Sequence, residues 1–140
     1  MNEDNIKKIK QVCPCNSQVE YDQCCKIAHD NHQRVETAEQ LMRSRYSAYV
    51  LKLIEYIVET THPQSRSKSL YLDVAQWIEK PNWQALEIIS KRFGEKGDKL
   101  GFVEFKATYL LDGELRSMHE NSKFKKYSNK WYYFDGKLKY

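Results

Sequence analysis

The chain has 140 residues, room for one ordinary domain and a small appended module but not for several domains. Its 23 basic and 19 acidic residues are interleaved and leave a formal charge of +4, too mild and too mixed to indicate a nucleic-acid partner; no DNA binding is expected. No apolar run approaches bilayer-spanning length and Met1 to Lys10 lack a signal-peptide core, so membrane insertion is not expected.

Residues 1–12 are polar and read as a tail. All four cysteines then fall in one string, Cys13-Pro14-Cys15 followed by eight residues and Cys24-Cys25. Neighbours such as Cys24 and Cys25 rarely bridge each other, and Cys13 with Cys15 closes too small a ring to relax. A disulfide also gains most by closing a long loop, which no pairing here does. Dense thiolates without a distant partner suit one tetrahedral metal ion, and they place the chain in a reducing compartment, the cytoplasm. Cys13 and Cys15 can point to one side of an extended turn, with Pro14 fixing the backbone between them; Cys24 and Cys25 enter from the first turn of a short helix. Zinc is the default occupant, and iron(II) also accepts four thiolates. No ligand position is open, so the expected role is structural or recognitional, and no catalytic residue is assigned. Lys7, Lys8, Lys10 and Lys26 are close in sequence to offset the site's net charge near −2. His29 and His32 are alternative ligands to Cys25; with four thiolates filling the shell they read as plain surface residues.

Ala28 to Glu36 is a polar bridge. Thr37-Ala38-Glu39-Gln40 reads as a capping box. The helical pattern that follows puts Ala38, Leu41, Met42, Arg45, Tyr49, Leu53, Tyr56 and Ile57 on one face, with a break near Leu51-Lys52 and an end before His62-Pro63. Gln64 to Ser69 is a loop, and Leu70, Val74, Trp77 and Ile78 mark a second helix stopped by Pro81. From Trp83 the period becomes two. The strands predicted are 83–93, 101–111, 114–127 and 130–134, with a loop over 94–99 and tight turns at Asp112-Gly113 and Ser128-Asn129. Helices followed by an antiparallel meander make an α+β domain whose sheet can curl around the helices and enclose a cone-shaped hollow.

The cysteine string closely resembles the SEC-C motif, the metal-binding element that ends the SecA translocation motor. Ser17 and Tyr21 match positions that frame its ligands. The family usually has glycines where this chain has Asn16 and Gln18; asparagine tolerates a left-handed turn, while glutamine does so less readily. Leu41 to Tyr49, Thr61-His62-Pro63, Val103-Glu104-Phe105, His119 to Phe124 and Trp131-Tyr132-Tyr133 with Asp135-Gly136 extend the likeness. Together they are similar to the YchJ family of small bacterial proteins. That resemblance implies a SEC-C metal-binding knuckle over 1–30 and a nuclear transport factor 2-like roll over 31–140.

Arg45 shares its face with apolar residues, so its guanidinium should point inward, with Glu120 or Glu104 as partner. The pairing is either a structural tie between helix and sheet or an anion-binding group at the mouth of the hollow. His119 and Glu120 are strand neighbours and face opposite sides, so they cannot form a local dyad. His62, near a helix C-terminus, is expected to favour its charged form. Arg45, Tyr49, His62, Glu104 and Glu120 are thus the candidate pocket residues. The other tyrosines read as core, and the lysines of the last hairpin as a solvated edge.

Two functions compete. The first is an uncharacterised metal-binding interaction protein. SecA's motif contacts the export chaperone SecB and the ribosome, so the resemblance implies a SecB-like chaperone or the ribosome as partner. The second is a small-molecule binder or enzyme using the hollow; no nucleophile motif, phosphate loop or cofactor fingerprint favours an enzyme. Redox or metal sensing by exposed thiolates is a third reading. A homodimer through the open sheet face fits either function.

Overall fold

A computed structural model describes residues 11–139. The loop from Cys13 is closed by an antiparallel bridge between Val12 and Glu20 and by the Cys13 N–H donating to Val19 O at 2.8 Å. A 3₁₀ turn, Tyr21–Gln23, leads into α1 (Cys25–Asp30), and a second, His32–Arg34, precedes α2 (Ala38–Leu51). Then come α3 (Ile54–Glu59), a 3₁₀ turn at Pro63–Ser65 and α4 (Leu70–Ile78). The sheet follows as β1 (Asn82–Phe93), β2 (Leu100–Leu111), β3 (Glu114–Tyr127) and β4 (Lys130–Leu138), in the order β1-β2-β3-β4 and antiparallel throughout.

Local chemistry explains the boundaries. The Thr37 hydroxyl accepts from the Gln40 N–H and the Gln40 side chain accepts from the Thr37 N–H, the reciprocal capping that starts α2. Lys52 adopts a left-handed φ of 61° and separates α2 from α3. Both tight turns have two successive positive φ values, at Asp112-Gly113 and Ser128-Asn129, as the twist of two-residue hairpins requires. β4 runs to Leu138, four residues beyond the predicted Phe134. A bulge at Lys123/Phe124 shifts the register, so that Asp135, Gly136, Lys137 and Leu138 still pair with β3. Two further irregularities lie in β1, between Trp83 and Ala85 and between Ile88 and Ser90.

The concave face buries Leu86, Val103, Phe105, Ala107, Phe124 and Trp131 against Leu41, Met42 and Tyr46 of α2, Ile57 of α3 and Val74 and Ile78 of α4. The start of α2 meets the β1–β2 hairpin at bare backbone. The Ala38 N–H donates to Gly94 O at 2.9 Å, and a Cβ on Gly101 would stand 2.9 Å from the Ala38 Cβ. Both outer strands are partly covered by the chain itself. Thr61 bridges to Tyr133 of β4, flanked by Tyr133 N–H to Thr60 O at 2.8 Å and His62 N–H to Tyr133 O at 2.7 Å. On β1, the Asn16 amide donates to Leu86 O at 3.3 Å. No helix among the described residues is long and apolar enough to cross a membrane.

Candidate metal centre and roll cavity

The loop and the start of α1 gather four sulfurs. The Sγ atoms of Cys13, Cys15, Cys24 and Cys25 all lie within 4.8 Å of one another, and Cys15 and Cys24 are 3.6 Å apart. A zinc–sulfur bond of about 2.3 Å gives a tetrahedron with edges of about 3.8 Å, so the donor set fits a tetrahedral ion. Cys15 is fully buried, Cys13 and Cys25 nearly so, and Cys24 lies at the rim. The loop makes its turns with left-handed residues, Asn16 at φ 68° and Gln18 at φ 69°; the glutamine adopts the conformation that a glycine would take at less cost.

Without a cation these thiols compete for charge. Hydrogen bonding from Cys15 and then Cys25 holds Cys13 far below the usual thiol range, against the opposing effect of burial. Burial pushes Cys24 up to about 11, with the Ser17 hydroxyl acting the other way. Cys25 rises steeply because its hydrogen bonds to Cys13 and Cys15 engage the proton, with burial adding to both. A divalent ion would supply the charge that lets all four ionise, and its binding would release their protons.

The surroundings are fixed by α2. Arg43 donates from Nη1 to Cys15 O at 2.8 Å and from Nε to the Glu39 carboxylate at 2.9 Å. Ser47 Oγ lies 3.5 Å from Cys13 Sγ and Ser17 Oγ 3.2 Å from Cys24 Sγ. Arg43 therefore supplies the nearby positive charge expected from lysines. Lys26 instead pairs with Asp30 at 2.6 Å, and Lys7, Lys8 and Lys10 lie outside the described residues. The helical pattern gave no sign of this, because Arg43 four residues after Glu39 looks like an ordinary surface pair.

His29 and His32 are braces, not the plain surface residues expected. His29 Nε2 lies 2.8 Å from Ser44 O, so it carries the proton, and Nδ1 accepts from the Tyr21 hydroxyl at 2.8 Å. His32 Nε2 likewise donates to Trp131 O at 2.6 Å. Burial lowers the pKa of both.

A second feature is a cavity of ≈ 220 Å³ between α2, α4 and the sheet, lined by Arg45, Tyr49 and Glu120 among others. Arg45 does not pair with a carboxylate among the described residues. Its Nη1 donates to Ile57 O at 2.8 Å, Thr60 Oγ1 at 2.7 Å and Thr61 Oγ1 at 3.3 Å, and its guanidinium lies 4.7 Å from the Tyr133 ring centroid. These oxygens and the ring take the place expected for an acid. Glu120 Oε1 accepts from Tyr133 Oη at 3.0 Å and Ser122 Oγ at 3.2 Å. Burial, followed by the Glu120 charge, raises the Tyr133 pKa.

Glu104 and His62 lie elsewhere. Glu104 is on the opposite sheet face, where it accepts from His119 at 2.7 Å and Ser90 at 3.0 Å. His62 is buried among Tyr127, Tyr132 and Phe134, and its Nδ1 accepts from the Gln64 N–H at 3.1 Å. Burial, Lys125 and Arg66 lower its pKa, the reverse of the charged form expected from a helix terminus.

The family model of the YchJ middle NTF2-like domain matches residues 37–136. A UPF0225 protein of Vibrio parahaemolyticus is 45% identical over 124 residues, covering 89% of this chain and 73% of the relative. A UPF0225 protein of Geobacter sulfurreducens is 38% identical over 125 residues, covering 89% and 78%. The solution structure of a SEC-C motif containing protein from Rhodopseudomonas palustris aligns with TM-score 0.80 at 36% identity, covering 93% of this chain and 100% of the other. The crystal structure of a SEC-C motif containing protein from Psychrobacter arcticus aligns with TM-score 0.73 at 30% identity, covering 93% and 84%. Since the matched domain and the likeness to SEC-C proteins together span the roll and the knuckle, this chain belongs to the YchJ family.

Proposed function

We propose that this protein is a cytoplasmic interaction protein whose knuckle is set by a bound ion, zinc in the first place and iron(II) as the alternative. The observation that carries this reading is the four-sulfur set, sized for one tetrahedral ion and already seated on α2. An ion held by four protein sulfurs has no position left for a substrate, so its contribution is stiffness and shape. Stiffness matters because the outward side of the knuckle exposes Val12, Val19 and Ile27. Val19 and Ile27 border a groove whose wall also contains Arg34 and Arg43. Apolar residues beside two arginines, Arg43 of them held in place by Glu39 and the Cys15 carbonyl, suit a protein surface with its own apolar and acidic groups. The likeness to SecA's motif supports a SecB-like chaperone or the ribosome as that partner.

Elemental analysis of the purified protein should give one ion per chain. Capture from cytosol should then yield a partner that is lost both with Cys24→Ser/Cys25→Ser and with Ile27→Asp, the latter retaining the ion. Identical partner lists for all three proteins would remove the reading.

A further inference from the structure

The roll cavity lies apart from the knuckle, on the other side of α2. Its ≈ 220 Å³ is far more than the roughly 10–15 Å³ that a single water needs, and is room for a small organic molecule. Much of the wall is ring and thioether, including Tyr46, Tyr49, Trp83, Phe105 and Met118. Such a wall offers water few partners.

Three observations distinguish it from a packing defect. Arg45, only 8% exposed, lines the cavity, and its hydrogen bonds to described residues all leave from Nη1. Glu120 lines it too; Oε1 has two donors, while Oε2 has none among the described residues. Opposite that carboxylate stands Gly136, where any Cβ would collide with it, so a bare backbone position lets Glu120 fold inward. In addition Trp83, in the same wall, keeps a buried indole N–H without an acceptor among the described residues. The polar groups therefore offer donors, from Arg45 and Trp83, and an acceptor, Glu120 Oε2, among largely apolar and aromatic walls. Their two charges are opposite, and a charged occupant would leave one of them uncompensated.

We propose that this cavity binds an uncharged planar ring carrying a hydrogen-bond donor and acceptor side by side, the chemistry shared by an aromatic amide and a nucleobase. Arg45 serves the acceptor, Glu120 Oε2 takes the donor, and the tyrosine and tryptophan rings hold the plane.

The test titrates the full-length, ion-loaded, ¹⁵N-labelled protein with benzamide, uracil, acetophenone, benzoate and ethylbenzene. The reporter is the Trp83 indole resonance, identified by its loss in Trp83→Phe. Benzamide or uracil should shift it saturably, and whichever binds more tightly identifies the source. Acetophenone, which has no donor for Glu120, should bind at least about tenfold more weakly than benzamide. Ethylbenzene or acetophenone binding as well as both amide-bearing probes would overturn the donor–acceptor assignment. Tightest binding by benzoate would overturn the uncharged one, and no shift with any probe at millimolar concentration would overturn the site. Glu120→Gln, with its spectrum still dispersed, should weaken benzamide about tenfold; unchanged affinity would remove Glu120 from the site. The ligand series on the unmodified protein stands whether or not the variants fold.

Discussion

Replacing Arg43 by alanine would show how firmly the knuckle depends on α2. The side chain is 22% exposed and makes two bonds, to Cys15 O at 2.8 Å and to Glu39 at 2.9 Å. Burial alone would weaken its charge, but Glu39 and Cys15 more than offset this and its pKa rises. A charge-assisted bond to the Cys15 carbonyl contributes about 1.5–3 kcal/mol. The helical pair with Glu39 adds about 0.3–0.5 kcal/mol, which bears on α2 more than on the ion. Independently, outer-shell support of a metal ligand ordinarily accounts for about 10–100-fold in affinity, or about 1.4–2.8 kcal/mol. The two routes agree. Competition with a chromophoric chelator should therefore show zinc held about 10–100-fold more weakly by Arg43→Ala, with far-ultraviolet circular dichroism unchanged because the capping box of α2 is intact. Arg43→Lys should recover only part of the loss, since an ammonium cannot serve the carbonyl and Glu39 in the same planar geometry. An alanine variant within twofold of the parent, with the fold intact, would refute the brace.

Three further outcomes are expected. Gly101→Ala should lower stability in urea by about 1–3 kcal/mol, because its Cβ would stand 2.5 Å from the Gly94 Cα and 2.9 Å from the Ala38 Cβ; a loss below about 0.5 kcal/mol would mean the contact relaxes freely. Gln18→Gly should raise the free energy of unfolding in urea, by up to about 1 kcal/mol, by relieving the left-handed glutamine; a lower value would contradict that account of the turn. His29, His32 and His62 all have lowered pKa values, so the unfolded chain takes up protons first. Their contribution is present above the unfolded value of about 6.5 and is lost as pH falls through the folded values. Denaturation series at stepped pH should show this decline, less steep in His32→Gln; an identical slope in that variant would exclude His32.

The helices and strands were largely legible because their punctuation is local. Thr37 with Gln40, Lys52, Pro81, Asp112-Gly113 and Ser128-Asn129 each act within a few residues, and each stands at a boundary of an element or beside one. The bulge at Lys123/Phe124 left no such mark, so the end of β4 was read short. In the metal centre, four cysteines crowded into one short string could be read directly. Its supports could not: Arg43, Ser44 and Ser47 look like the wet side of α2, and only the knuckle lying over that side turns them into partners. Arg45 was placed inward by its neighbours on the helix. Its oxygens come from Ile57, Thr60 and Thr61, across a helix break whose angle no periodicity encodes. Strand alternation put His119 and Glu120 on opposite faces but does not say which strand residues of β2 share the inner one, so Glu104, expected in the pocket, lies outside with His119 while Glu120 lies within.

The coverings of β1 and β4 bear on how copies of this protein can meet. An open sheet invites further strands along its rims, the route by which many β-rich proteins polymerise. Here the Asn16 amide occupies a carbonyl on one rim and the Thr60–His62 segment lies along the other. Growth of the sheet by strand addition is blocked at those points by the chain's own residues. A second copy that docks there must displace them, whereas the convex face can be approached without disturbing either.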